Sequence, residues 1–266
     1  MYLSHLMIDI GDNPDRPRPG RAWLRNVYHV HQRLCMGFPT AGRKERDPEF
    51  LQPFDEADFP MLNKAKESAG DCRPSFLFRI DASVSDTAPR VMILVQSTEK
   101  PDWEYAFQNA PLLAAAPETR EYNPAFETGN RLRFRVCMNL SRKAQTAKDG
   151  TFIGKRSERV DGAGRQKSQG KRVAVILDGD RDPEQTVREW FTGKAARAGF
   201  EVDVLRLQSL GWLIGKKPNN GTMKFRSALL EGTLVVTDAA AFSQTLAKGI
   251  GSAKAFGFGL LSVKPD

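Results

Sequence analysis

The chain has 266 residues, 40% of them hydrophobic, with 40 Lys and Arg against 32 Asp and Glu, for a formal charge of +8. That length fits one large domain or two small ones, and the apolar fraction argues against wholesale disorder. There is no membrane-length apolar run, no signal-like opening, and no close spacing of Cys35, Cys72 and Cys137, so a membrane span, a secretory leader, a disulfide framework and a zinc cluster are not expected. The expectation is a soluble, cytoplasmic protein with reduced cysteines.

Residues 2–10 alternate like a half-buried strand, with Leu6, Ile8 and Ile10 on one face. Residues 11–20 read as a loop rich in proline and charge. Asn26 is a predicted N-cap and Gly37 a stop, with a short helix between them. Strands are predicted at 76–82 and 91–97, and 99–128 reads as a connection with a poorly marked helix.

The second half opens with a strand at 131–138, where Arg131, Arg133 and Arg135 alternate with Leu132, Phe134 and Val136. A strand near 173–177 precedes a helix opened by Asp182 and Pro183 that stops at Gly199. A strand at 200–207 leads to a hairpin across 216–221, where Asn220-Gly221 is a tight-turn signal. A strand at 232–236, a helix capped by Asp238, and a last strand at 260–263 complete the chain. This order predicts an α+β protein of two tandem ferredoxin-like βαββαβ domains, at residues 1–115 and 116–266.

The charge is unevenly placed. Residues 141–172 hold ten Lys and Arg, among them Arg142, Lys143, Lys155 and Arg156, against three acids, and the rest of the chain is nearly balanced. Concentrated basicity points to a polyanion, most often nucleic acid; a solvated surface loop is the plainer alternative. A second basic stretch, 211–226, carries Lys216, Lys217, Lys224 and Arg226 with no acid. A lysine-bearing ribbon can follow a nucleic-acid groove, or it can simply protect a sheet edge.

On the helix from Val27, Tyr28, His31 and Cys35 form one stripe beside the apolar stripe of Val27, Val30 and Leu34, whereas His29 points elsewhere. A phenol and an imidazole near a helix N-terminus suit proton transfer at a phosphate. By spacing alone, a packed histidine beside a tyrosine is the better reading. The segment 249–259 places two Gly-apolar-Gly units, Gly249/Gly251 and Gly257/Gly259, around Lys254. It lacks the spacing of a P-loop or a dinucleotide fingerprint, and it suits either a ligand-cradling loop or a tight helix-to-strand turn. Asp178, Asp180 and Asp182 do not continue into a calcium loop, so no metal site and no cofactor is predicted.

The opening MYLSHLMIDI, the segment NVYHVHQRLCMGFP and the ending KGIGSAKAFGFGLLSVKP together resemble the CasE family, the repeat-processing endoribonucleases of type I-E CRISPR systems. The resemblance is close over about the first forty and last forty residues. It implies an enzyme that cuts the base of a repeat stem-loop without metal, leaving a 2′,3′-cyclic phosphate and a 5′-hydroxyl. It also implies retention on the crRNA within Cascade, beside that complex's backbone and crRNA-binding subunits. His31 falls on the family's catalytic histidine and Tyr28 on its partner tyrosine. Lys194, four residues after Trp190, matches an RNA-contacting helix position, as Lys216, Lys217, Lys224 and Arg226 match the groove-entering ribbon, and Arg142 and Lys143 match basic residues after a strand.

The chain departs from the family in its longer 141–172 segment and 11–20 loop. No lysine stands near His31, where Gln32 and Met36 occupy the neighbouring turns, so the group that stabilises transition-state charge is left open. The rival to the enzyme is a non-catalytic crRNA-binding subunit of the same kind of complex. A single-strand binding module would need exposed aromatic platforms, and Phe76, Phe78 and Phe134 are expected to face the core.

Overall fold

The structure is a computed structural model that describes residues 1–11, 18–62, 75–83, 90–146, 152–154, 158–160, 166–168, 171–176, 182–217 and 221–266. The first half contains β1 (Tyr2–Ile8), α1 (Pro19–Leu24), α2 (Val27–Cys35), α3 (Ala41–Arg46), β2 (Phe76–Ser83), β3 (Arg90–Ser97), α4 (Trp103–Phe107) and β4 (Glu118–Glu121). Its sheet has the order β2-β3-β1-β4, and β3 runs antiparallel to both β1 and β2. That is the ferredoxin-like order. Leu6, Ile8, Phe78, Ile93 and Val95 point into its core, together with Val30 and Leu34 of α2.

One reading of this half is corrected and two are sharpened. The expected loop already turns helical at Pro19, because proline suits the first turn of a helix. The poorly marked helix is α4, a single short stretch capped by Asp102, whose carboxylate accepts from the Tyr105 N–H at 3.0 Å. Trp103, Tyr105, Ala106 and Phe107 are all buried, so α4 shows no amphipathic stripe. Finally, β4 pairs with β1 from His5↔Glu118 to Tyr2↔Glu121, so the first sheet extends past the expected division at 115/116.

The second half begins with β5 (Arg131–Asn139), buried on its Leu132, Phe134 and Val136 face and arginine-bearing on the other. The basic segment supplies β6 (Ser141–Thr146), β7 (Phe152–Gly154), β8 (Glu158–Val160), β9 (Gln166–Ser168) and β10 (Lys171–Ala174). Of these, β6 pairs with β10 and β7, and β8 with β9. Then come α5 (Pro183–Ala195), β11 (Phe200–Lys216), β12 (Thr222–Val236), α6 (Ala239–Lys248) and β13 (Leu261–Pro265). The second sheet has the order β11-β12-β5-β13, the same pattern as the first. Asp182 and Asp238 cap α5 and α6 as expected.

The hairpin strands are far longer than the expected 200–207 and 232–236: β11 has 17 residues and β12 has 15. Gly211, Gly215, Gly232 and two register shifts in β11 interrupt the alternation that marks a strand in sequence. Asn220 of the expected tight turn lies outside the described residues.

The two halves are joined by polar contacts between their sheets. Arg79 of β2, only 3% exposed, pairs with Asp81 at 2.8 Å and donates to the Arg135 carbonyl at 3.0 Å and the Ser262 hydroxyl at 2.8 Å. Gln96 of β3 donates to the Leu246 carbonyl at 2.7 Å, and Leu77, Leu94 and Leu260 form an apolar cluster at the same seam. Among the described residues no helix is long and apolar enough to cross a membrane.

Candidate active site

The site starts with Asn26. Its side-chain oxygen accepts from the Tyr28 N–H at 3.2 Å, which starts α2. The same oxygen accepts from the Lys216 N–H at 2.9 Å, and its amide donates to the Lys216 carbonyl at 3.0 Å. One side chain therefore caps the helix and pins the tip of the β11–β12 ribbon to it. Gly215 sits against the helix here, the position of a Cβ on it lying 3.4 Å from Val27 and 3.1 Å from Met223.

This docking brings Lys217 over the Tyr28 ring, with the ammonium 5.2 Å from the ring centroid. Val27, Val30, Leu34 and Cys35 are buried, leaving Tyr28, His31 and Gln32 half-buried on the open side of α2, while His29 is exposed. Burial, reinforced by the charge of Glu56, raises the Tyr28 phenol above its ordinary value. It is therefore a hydrogen-bond donor at neutral pH, not a base. Burial, with Glu56, also pushes the Cys35 thiol far up, so it stays protonated beside His31, its sulfur 3.7 Å from Nε2.

His31 is held by rings. It stacks on Phe76 at 5.5 Å between centroids and leans on Phe256 at 6.3 Å. Phe256 stacks in turn on Phe225 of the ribbon at 4.9 Å, and Phe76 on Phe38 at 5.6 Å. A row of aromatic side chains thus runs from the ribbon, through the glycine-rich loop, to the histidine. Phe78 and Phe134 are buried as expected, whereas Phe76 supports the site.

The glycine-rich loop is what places Phe256. Gly259 has φ +82°, and a Cβ there would lie 2.4 Å from the Ile250 carbonyl oxygen. Gly257 has φ +84° and lies against Phe78 of the first half. The Gly249 and Gly259 N–H groups donate to Thr245 and Cys137 carbonyls, at 2.8 Å each, so those two donors serve the fold and not a ligand. Gly251 faces Met138 with φ +88°. Lys254 donates to the Lys248 carbonyl at 2.6 Å, capping the end of α6; burial and then Lys248 lower its pKa.

Beside Tyr28 opens a cavity of about 930 Å³ lined by Gln32, Lys217, Arg46 and residues 52–56. Its far wall is fixed by Arg43, 1% exposed, which sequence reading missed. Arg43 donates to Asp47 at 2.6 Å, to Asp58 and Tyr105 at 3.1 Å, and to the carbonyls of Gln52 and Pro53. A charge-rich AGRKERD run reads as surface, and only the fold reveals that its first arginine is internal.

The remaining predicted residues divide. Lys216 and Lys224 are exposed on the ribbon, and the Arg226 guanidinium lies 5.0 Å from the Trp212 ring centroid. Lys194 sits 4.7 Å over Trp190 at the C-terminal end of α5, at the opposite end of β11 from Lys216. Burial, then Arg197 and Arg172, lower its pKa. Arg142 is exposed on β6; the Lys143 side chain, Lys155 and Arg156 lie outside the described residues. Among the described residues no group of three or more His, Cys, Asp or Glu could hold a metal ion.

Tandem ferredoxin-like halves, with a helix of one and a basic ribbon of the other meeting over a Tyr-x-x-His stripe, define the class of protein. A family model described as CRISPR associated protein matches residues 1–265, and the chain belongs to that family. It is 28% identical over 266 residues to the CRISPR-associated endoribonuclease Cse3 of Thermus thermophilus, covering 100% of both chains. It is 25% identical over 265 residues to the Cascade subunit CasE of Escherichia coli, again covering 100% of both. Among solved structures, a Cse3 endoribonuclease bound to a 19-nt RNA gives a TM-score of 0.64 at 23% identity, with 100% of both chains covered. Escherichia coli Cas6e gives 0.54 at 22% with the same coverage. These two share the fold. The named relatives belong to the CasE family that the terminal segments of the sequence resemble.

Proposed function

We propose that the chain is a metal-independent endoribonuclease that cuts CRISPR precursor RNA at the base of the repeat stem-loop and stays on the crRNA within Cascade. The observation that carries this reading is the docking of Lys217 over Tyr28, one turn of α2 from His31. In the reaction the 2′-oxygen attacks the adjacent phosphorus and its proton is removed. The bond from phosphorus to the 5′-oxygen breaks, and that oxygen takes up a proton. The products are a 2′,3′-cyclic phosphate and a 5′-hydroxyl.

His31 moves a proton in this scheme, with its imidazole oriented by Phe76 and Phe256. Tyr28, kept as a phenol, donates to a phosphate oxygen or positions the nucleophile. Lys217 supplies the positive charge for the phosphorane-like transition state, a role that the sequence left open. The exposed ribbon lysines follow the stem, whose base edges lie hidden in a narrow A-form groove, so that it is recognised mainly by shape and phosphate. The relatives support these partners: Cse3 has been solved bound to a 19-nt RNA, and CasE is a Cascade subunit.

The test is cleavage of the cognate repeat hairpin in EDTA, with end-group analysis of the products. Wild type should leave a cyclic phosphate and a 5′-hydroxyl, and His31→Ala should bind without cutting. Binding by the wild type with no cleavage would favour the non-catalytic crRNA-binding subunit.

A further inference from the structure

The ribbon has two faces, and only one is used by the fold. Its inner face, with Gly215, Met223 and Phe225, packs on α2 and the glycine-rich loop. On the outer face Trp212 stands opposite Arg226, Ile214 opposite Lys224, and Lys216 opposite Thr222. Trp212 is 58% exposed and Ile214 is 38% exposed. A tryptophan held this far in water on an edge strand is not explained by packing. No acid occurs between Gly211 and Arg226.

We infer that Trp212 stacks on an unpaired nucleobase of the RNA held by the ribbon, a contact separate from the cleavage site. Three features select this occupant. The flanking Lys216, Lys224 and Arg226 suit a polyanion and repel a basic partner. The Arg226 guanidinium lies over the indole at 5.0 Å, so a base laid on the ring would complete a stack of base, indole and guanidinium. In RNA the bases free to lie on an aromatic side chain are unstacked ones in loops, bulges and ends, so its partner is a base already splayed out, in a loop or a flank.

Position follows from strand geometry. Trp212 lies four residues before Lys216, about 13 Å along the strand. The indole thus stands back from the ribbon tip that Asn26 pins to α2.

The inference rests on the proposed endoribonuclease reading, and one experiment separates them. Affinity and single-turnover cleavage are measured for wild type, Trp212→Ala and Trp212→Phe on a repeat hairpin RNA and on variants with one abasic site at each unpaired position. Trp212→Ala should weaken binding about ten- to a hundredfold, with the cleavage rate at saturation unchanged and Trp212→Phe close to wild type. One abasic RNA should bind wild type as weakly as Trp212→Ala binds the intact RNA, with no further loss when the two changes are combined. Unchanged affinity in Trp212→Ala, beside normal wild-type binding and cutting, overturns the stacking contact and leaves the enzyme reading intact. Equal losses on every RNA also overturn it, because no single base is then the partner. A wild type that neither binds nor cuts the hairpin overturns both.

Discussion

The two halves share a strand order, but their central hairpins differ. In the first half β2 and β3 have eight residues each and remain inside their sheet. In the second half β11 and β12 have 17 and 15, and pairing with the third strand, β5, stops at Ser227↔Asn139. The rest is a free two-stranded ribbon, a marginal structure in water on its own. It is held by Asn26, by Val27 beneath Gly215, and by Phe225 against Phe256. The difference teaches that extra length in one half is stabilised by the other, and that the same contacts deliver a cation to the helix that carries the histidine.

The largest expected effect falls on the first half alone. His31→Ala should slow cleavage by about 10²–10⁴-fold while RNA affinity, measured by filter binding, stays near wild type. A smaller effect attends the loop that bridges the halves. Gly259→Ala should destabilise the protein by about 3 kcal/mol, because φ is +82° and the new Cβ would lie 2.4 Å from the Ile250 carbonyl. Differential scanning calorimetry should show Tm lower by roughly 5–10 °C.

Asn26→Ala removes the pin between ribbon and helix. The lost cap costs about 1 kcal/mol. Hydrogen exchange should then rise in the 211–226 ribbon but not in β2 and β3, and an equal rise in both hairpins would contradict the comparison. The mildest effect concerns the cavity wall. Hydrogen bonding from Arg46, opposed by burial and joined by Arg43, holds the Asp58 carboxyl below its usual range. Its contribution to stability is full above the unfolded value near 3.9 and is lost as pH falls through the lower folded value. The Tm gap between wild type and Asp58→Asn should thus be open at pH 7 and narrow below about pH 4.

What was legible in the sequence follows local physics. Caps at Asn26, Asp182 and Asp238, the alternation of Arg131–Val136 and the buried stripe of α2 are set within a few residues of chain, and they read correctly. Strand length was not legible in β11 and β12, where glycines and register shifts mask the period. Trp212 consequently passed unnoticed as an exposed platform. Arg43 was hidden because it is internal; Lys217 was read as a ribbon base, but its place over Tyr28 depends on pairings of residues distant along the chain. Charge density does not single out Lys217 either, since the ten bases of 141–172 weigh more in composition than the one lysine found over Tyr28.

The central claim is that the site exists only where the second half's ribbon meets the first half's helix. The direct measurement is the single-turnover cleavage rate of Lys217→Ala at saturating protein. The expected result is a rate about 10²-fold below wild type, with RNA affinity reduced far less. A Lys217→Ala variant that cuts at the wild-type rate would contradict the claim and confine the chemistry to the first half.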